Sequence, residues 1–103
     1  MVPGTKVIVT GGIKTGPMEK TPQAQKLVDL FRSVVKREYN ADIVEWVSGG
    51  LTDGNRAAKY IPTIDALGVE NYDEHTDHES VDLKTAVPRT VALVSFILKI
   101  AKN

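Results

Sequence analysis

The chain contains no cysteine among its 103 residues, so disulfides, thiolate metal sites and a cysteine nucleophile are excluded. Its formal net charge at pH 7 is zero, which gives it no general electrostatic attraction to nucleic acid or to a membrane surface. Long hydrophobic runs are also missing, because the longest one, from Val91 to Ile100, is interrupted by Ser95 and Lys99 and is too short to span a bilayer. The first ten residues lack the basic stretch and apolar core of a signal peptide, and we expect a cytoplasmic protein.

Charge is unevenly distributed along the chain. Between Asp65 and Asp82 there are seven acidic residues and no lysine or arginine, and both histidines, His75 and His78, lie in this stretch. Carboxylates around histidine suit a cation, since zinc accepts both imidazole nitrogen and carboxylate oxygen. The spacing His-x-x-His does not place both side chains on one helical face, so we do not expect them to bind one ion as a helical pair. A solvated acidic loop fits the composition better than a metal site does.

Hydrophobic patterns and turn signals predict strands that alternate with helices. The predicted elements are a strand at 6–10, a helix from 22 to about 40, a strand at 43–47, a short helix through 56–58, a strand at 62–67, and a last helix after 85. Residues 13–20 should form an irregular connector, and residues 68–80 a long polar loop. This order predicts an α/β fold, a layered sheet with helices in the order β-α-β-α-β-α.

Capping signals define the three predicted helices. Thr21 can cap the first helix, with Pro22 at its first position, and Thr52 or Asp53 can cap the short one. Thr85 is expected to cap the last helix, which places Pro88 in its first turn, where no amide donor is needed. The last helix is apolar nearly all round and therefore needs covering on every side. Either the chain forms a homo-oligomer through this helix, or a part of the protein that covers it is missing.

The segment 48–55, Ser-Gly-Gly-Leu-Thr-Asp-Gly-Asn, lies between a predicted strand and a predicted helix. A glycine pair lets the backbone approach a ligand closely, and a helix N-terminus presents free amides to an anion. An ordinary strand-to-helix turn with a capping residue explains the same pattern. The segment matches neither GxGxxG nor a P-loop, so it gives little support to nucleotide binding.

In order and spacing, these segments resemble a family of dizinc peptidases and deacylases that contains carboxypeptidase G, acetylornithine deacetylase, succinyl-diaminopimelate desuccinylase and aminoacylase. The motifs that carry the resemblance are Gly49-Gly50-Leu51-Thr52-Asp53, Pro62-Thr63-Ile64-Asp65-Ala66-Leu67-Gly68, His75, and Glu79-Ser80-Val81-Asp82. The resemblance covers the whole chain and roughly the last quarter of a family member. Residues 1–20 resemble the last strand of the lid domain and its connector, and residues 21–103 resemble the C-terminal part of the catalytic domain.

The resemblance implies roles for particular residues. His75 matches the C-terminal histidine that binds one zinc of the pair, whereas His78 matches no ligand of the family. Substrate-binding positions are implied in the loop that shapes the pocket near the substrate's carboxylate: Gly49, Gly50, Thr52 and Asp53, with Asn55 beside them. The implied reaction is that of a hydrolase, a metallopeptidase or amidohydrolase that cleaves an amide next to a carboxylate, as in a C-terminal glutamate or an N-acyl amino acid. In the family two zinc ions share a water and lower its pKa, and a glutamate acts as general base.

The chain also departs from the family pattern. Nothing in it matches the His-x-Asp motif and the Glu-Glu pair that supply most zinc ligands and the general base in the family. The glycine that family members usually carry just before the proline of the strand is also absent, since Tyr60 and Ile61 precede Pro62. We therefore expect an inactive C-terminal fragment with no catalytic residue of its own, which holds at most one zinc weakly and has the missing N-terminal catalytic portion as its partner. Two alternatives remain open. One is a free-standing module that binds a small anion and oligomerises, and the other is an independent metal-binding domain that uses His75 and His78.

Overall fold

A computed structural model describes residues 2–102. The first residue of the predicted segment 1–20, Met1, and the last residue of the predicted segment 21–103, Asn103, lie outside the described residues. The structure is mainly helical. Its elements are, in chain order, α1 (Pro22–Tyr39), α2 (Asp53–Ala57), β1 (Asn71–Tyr72), β2 (Ser80–Val81) and α3 (Leu83–Ala101).

Helix α1 begins and ends at strong local signals, as predicted. The Thr21 side chain accepts a hydrogen bond of 3.1 Å from the backbone N–H of Ala24, and Pro22 occupies the first turn, where its missing N–H costs nothing. At the other end Asn40 adopts a left-handed conformation with φ 49°, and its N–H donates to the carbonyl of Lys36. The predicted helix from residue 22 to about 40 is confirmed.

Helix α3 begins earlier than predicted. Asp82, not Thr85, is its N-cap, and the Asp82 carboxylate accepts a hydrogen bond of 2.9 Å from the N–H of Lys84. The Thr85 hydroxyl instead donates to the Asp82 carbonyl at 2.7 Å and accepts from the N–H of Glu70 at 2.9 Å. Pro88 consequently lies inside the helix rather than in its first turn. Along residues 2–102, no helix combines the length and apolarity that crossing a bilayer requires.

The core lies where α1 and α3 pack against each other. Phe31 and Val34 of α1 are buried against Ala92 and Phe96 of α3, and Val34 has no exposed surface. The rings of Phe31 and Phe96 meet edge to face, with centroids 5.3 Å apart and an interplanar angle of 80°. Partly buried side chains surround this contact: Leu27, Leu30, Val35, Ile43, Ile64, Leu67 and Leu93.

The predicted α/β layered sheet is wrong. The segments 6–10, 43–47 and 62–67 belong to no strand, and the described residues contain a single two-stranded antiparallel sheet, in which Asn71 pairs with Val81 and Tyr72 with Ser80. Both of these strands begin within the stretch 68–80, which was predicted to be a long polar loop. A strand exists only where a neighbour completes its hydrogen bonds, and a β-branched pattern cannot supply that neighbour.

The segments that were expected to be strands leave many apolar side chains in contact with solvent. Val9 is 89% exposed, Val44 88% and Val47 97%, and Trp46 is 70% exposed. The radius of gyration is 18.3 Å, whereas about 13 Å is typical of a compact domain of 100 residues. Contiguous exposed apolar surface usually marks a place where another surface packs.

Candidate functional site

The segment 48–53, to which the family resemblance assigns substrate binding, leads directly into α2. Two hydrogen bonds between Thr52 and the first turn fix the start of this helix. The Thr52 hydroxyl accepts from the N–H of Gly54 at 3.0 Å, and the Asn55 side-chain oxygen accepts from the N–H of Thr52 at 3.0 Å. This capping box satisfies two backbone donors that a helix start leaves free. The short helix predicted after Thr52 is confirmed.

Thr52 and Asn55 also contact segments that are distant in sequence. The Asn55 side-chain amide donates to the carbonyl of Gly16 at 3.2 Å, and the Thr52 hydroxyl donates to the carboxylate of Asp65. Asn55 is buried, with 9% of its surface exposed, and its side-chain oxygen and nitrogen both have hydrogen-bond partners within the protein, as buried polar groups require. We call Gly16, Thr52, Asn55 and Asp65 the capping cluster. It joins the connector 13–20 and the segment 62–67 to α2.

The remaining residues of the implied substrate loop are open to solvent. Gly49, Gly50 and Asp53 are all exposed, and a Cβ added at Gly49 would meet no atom within 4 Å. The N–H of Gly50 donates to the Ser48 hydroxyl at 3.1 Å, which folds the loop back on itself. The five implied substrate-binding residues therefore form two groups. Thr52 and the buried Asn55 bond to distant segments, and Thr52 is nevertheless exposed, as are the glycine pair and Asp53.

Gly54 is a structural residue that no local sequence pattern predicts. A Cβ at this position would lie 3.0 Å from the Asp65 carboxylate, 3.0 Å from the Thr52 hydroxyl and 3.3 Å from the Met18 sulfur. A larger residue here would require these side-chain ends to move by a few tenths of an ångström, so glycine suits this close approach. Its place within the run Thr-Asp-Gly-Asn was visible in the sequence, but its partners lie in other segments and no local pattern connects them.

His75, the implied zinc ligand, lies in the exposed loop 73–79 that connects β1 and β2. It adopts a left-handed backbone conformation with φ 64°, which few residues other than glycine adopt and histidine tolerates better than most. The loop is stabilised by Thr76, whose hydroxyl donates to the Asp73 carbonyl at 2.7 Å and accepts from the N–H of His78 at 3.2 Å. The structure thus presents the His75 side chain at the end of a short hairpin.

The residues that the structure describes do not form a complete metal site. Within the span 2–102, no three histidine or carboxylate side chains come together in a way that could hold an ion. A catalytic zinc needs about three protein ligands, and His75 alone does not fit that requirement.

An ion-pair network holds the segment after α1 against that helix. Arg32 lies 3.0 Å from Asp42 through Nε and 3.0 Å from Glu45 through Nη2, and Lys20 also contacts Glu45. The hydrogen bond from Lys20, followed by that from Arg32, lowers the pKa of Glu45, and the N–H of Ile43 together with Arg32 lowers the pKa of Asp42. Because these side chains are on the surface, the network positions the segment more than it stabilises the fold.

Comparison of the chain with models of protein families, with curated proteins and with solved structures found no match. A shallow depression of about 290 Å³ lies between the start of α1 and residues 58–63, and it contains none of the implied site residues. The candidate functional residues remain those of the loop, Gly49, Gly50, Thr52, Asp53 and Asn55, together with His75.

Proposed function

We propose that this chain is the C-terminal portion of a zinc-dependent amidohydrolase that cleaves amide bonds next to a carboxylate and that is inactive without the rest of its catalytic domain. The observation that carries the proposal is the order of four motifs along the chain. The glycine-pair loop 49–53, the segment 62–68, His75 and the run 79–82 follow one another as they do in the dizinc peptidases and deacylases.

The exposed apolar segments support the proposal. Residues 6–10 and 43–47 have strand-forming sequences, yet side chains such as Val9, Val44 and Val47 are almost fully exposed. Exposed apolar surface of this kind usually marks a place where another surface packs. The proposed N-terminal catalytic portion supplies such a surface.

The chemistry of the accessible residues supports the same account. His75 contributes one imidazole ligand, and the backbone of Gly49 and Gly50 is free to approach the carboxylate of a small peptide or an N-acyl amino acid. Thr52 and Asn55 shape this loop through the capping cluster rather than through free polar atoms. The missing ligands and the general base come from the N-terminal portion.

The test compares two histidines of the same loop in the full-length protein that contains this segment. His75→Ala should remove one zinc and nearly all turnover of an N-acyl amino acid, because a ligand of the reacting metal is lost. His78→Ala is the matched control, since His78 is also exposed in the loop 73–79, and it should leave zinc content and turnover intact. Unchanged activity and zinc content in His75→Ala would refute the assignment of His75.

A free-standing assembly module is the second candidate, and one observation favours it. The last helix exposes several large apolar side chains, among them Val87 at 70% and Leu98 at 55%. Such a module would be a stable oligomer with a cooperative thermal transition and would need no N-terminal portion. Cooperative melting of an oligomer together with a small anion bound at the glycine pair would favour this candidate.

A further inference from the structure

Helix α3 carries a regular apolar stripe on its exposed side. Val87, Val91, Val94 and Leu98 follow one another at intervals of four, three and four residues. This spacing averages about 3.7 residues, close to the 3.6 residues of one helical turn, and so aligns the four side chains along one side of the helix. Their side chains are 70%, 41%, 50% and 55% exposed, respectively. We call these four residues the α3 stripe.

The α3 stripe lies opposite the face that α3 packs against α1. Ala92 and Phe96, which are buried in that contact, are 3% and 5% exposed. At about 100° per residue, the centre of the stripe is about 150° around the helix from these two residues. Helix α3 thus has two apolar sides, and only one of them is covered within residues 2–102.

The size of the stripe suits a helix-to-helix contact. Together with the neighbouring Leu83 and Ile97, which are 76% and 54% exposed, the stripe presents an apolar surface on the order of 500 Å², as large as the patches that mark interaction sites. Two such surfaces facing each other bury about 1,000 Å², near the lower limit for a specific interface. A second copy of the chain offers a surface of this size and shape.

The charges at the two ends of α3 select an antiparallel arrangement. Before the helix, the loop 73–79 carries Asp73, Glu74, Asp77 and Glu79, and β2 and the hydrogen bond from Asp82 to Glu70 hold this loop at the start of α3. The helix itself contains no acidic residue, and its cations lie at both ends, Lys84 and Arg89 in the first half and Lys99 and Lys102 at the end. The four carboxylates of the loop outnumber the two cations of the first half, so the start of α3 is net acidic and its end is net basic. An antiparallel copy brings the acidic loop of one chain to the basic end of the other, whereas a parallel copy brings like charges together. Antiparallel helix dipoles also attract each other.

We propose that two copies of this chain pair through the α3 stripe in a symmetric antiparallel dimer, with Val87 opposite Leu98 and Val91 opposite Val94. The proposal does not depend on the enzymatic function proposed above. The stripe, its exposure and the charges at its ends are sufficient to support it.

Sedimentation equilibrium of the chain tests the dimer. The native chain should sediment as a dimer, and Val94→Glu should sediment as a monomer with an unchanged helical circular dichroism spectrum, because this half-exposed side chain lies outside the core. Val47→Glu is the matched control, since Val47 is 97% exposed but lies far from the stripe in sequence. It should remain dimeric. A monomeric native chain, a dimeric Val94→Glu or a monomeric Val47→Glu would each overturn the proposal, the last by moving the interface to the segment 43–47.

Disulfide cross-linking tests the antiparallel arrangement. Because the chain contains no cysteine, only the introduced cysteines can form a disulfide. Val87→Cys and Leu98→Cys are prepared separately, mixed and oxidised mildly. The antiparallel pairing predicts a disulfide between the two different variants, which mass spectrometry distinguishes from self-linked pairs. Efficient self-linking of each variant alone would show a parallel pair, and no cross-link in the mixture would show that the stripe is not the interface. Either result overturns the proposal.

Discussion

The contact between Phe31 and Phe96 is expected to be a main source of stability, because few other residues are buried. Replacing Phe96 with leucine keeps an apolar side chain but removes the edge-to-face ring contact, whose centroids are 5.3 Å apart. An aromatic pair of this kind contributes about 0.5–1.5 kcal/mol beyond the area that it buries. With the altered packing, we expect Phe96→Leu to lower the free energy of unfolding by about 1–2 kcal/mol. That is a large fraction of the stability of a domain with so small a core.

The measurement is urea unfolding followed by helical circular dichroism, carried out on Phe31→Leu, Phe96→Leu and the double variant. The double-mutant cycle should give a coupling free energy of about 0.5–1.5 kcal/mol, because either single change already removes the ring contact. Val47→Ala is the control, since Val47 is 97% exposed and lies outside the α3 stripe, and it should change the free energy of unfolding by less than about 0.5 kcal/mol. Additive effects of the two phenylalanine changes would refute the claim that the rings stabilise each other.

Further predictions concern the ion-pair network and the loop conformations. Because the pKa of Glu45 is lowered in the folded state, its contribution to stability is present above its ordinary pKa and is lost as pH falls through the lowered value; Glu45→Gln should make this acid-induced loss shallower in unfolding curves. Ala66 has φ 61°, so Ala66→Gly should raise the free energy of unfolding by about 1 kcal/mol, whereas Ala58→Gly, at a right-handed position, should lower it by about 0.5 kcal/mol. Gly54→Ala should lower the free energy of unfolding by up to about 2 kcal/mol, because overpacking against Asp65 and Thr52 costs about 1–3 kcal/mol and replacing a helical glycine returns about 0.5–1 kcal/mol; Gly49→Ala, whose Cβ meets no atom within 4 Å, should be tolerated.

The helices were largely predictable because their signals are local. Thr21 with Pro22 and Thr52 with Asn55 act within one turn of the helices that they start, and the structure places both caps where the sequence indicated. The start of α3 was missed because Asp82 and Thr85 are both capable caps only three residues apart. Asp82 is the cap, and the Thr85 hydroxyl bonds to Glu70 and Asp82.

The sheet was not predictable in the same way, because a strand depends on a partner that its own sequence does not specify. Residues 6–10 and 43–47 have the β-branched pattern of strands, but no described segment pairs with them. Conversely, β1 and β2 have two residues each, too few for any pattern to show. The contacts of the capping cluster were not predicted for a similar reason. They connect Asn55 to Gly16 and Thr52 to Asp65, which are far apart in the sequence.

Zinc titration by calorimetry tests most directly whether this chain is one part of a dizinc enzyme. The chain alone should bind no zinc tightly, because His75 has no two further ligands grouped with it among residues 2–102. Adding the N-terminal catalytic portion should produce tight, stoichiometric binding of a zinc pair, and His75→Ala should remove one ion of that pair. Tight, stoichiometric zinc binding by the chain alone, or a zinc pair retained in His75→Ala, would contradict the account.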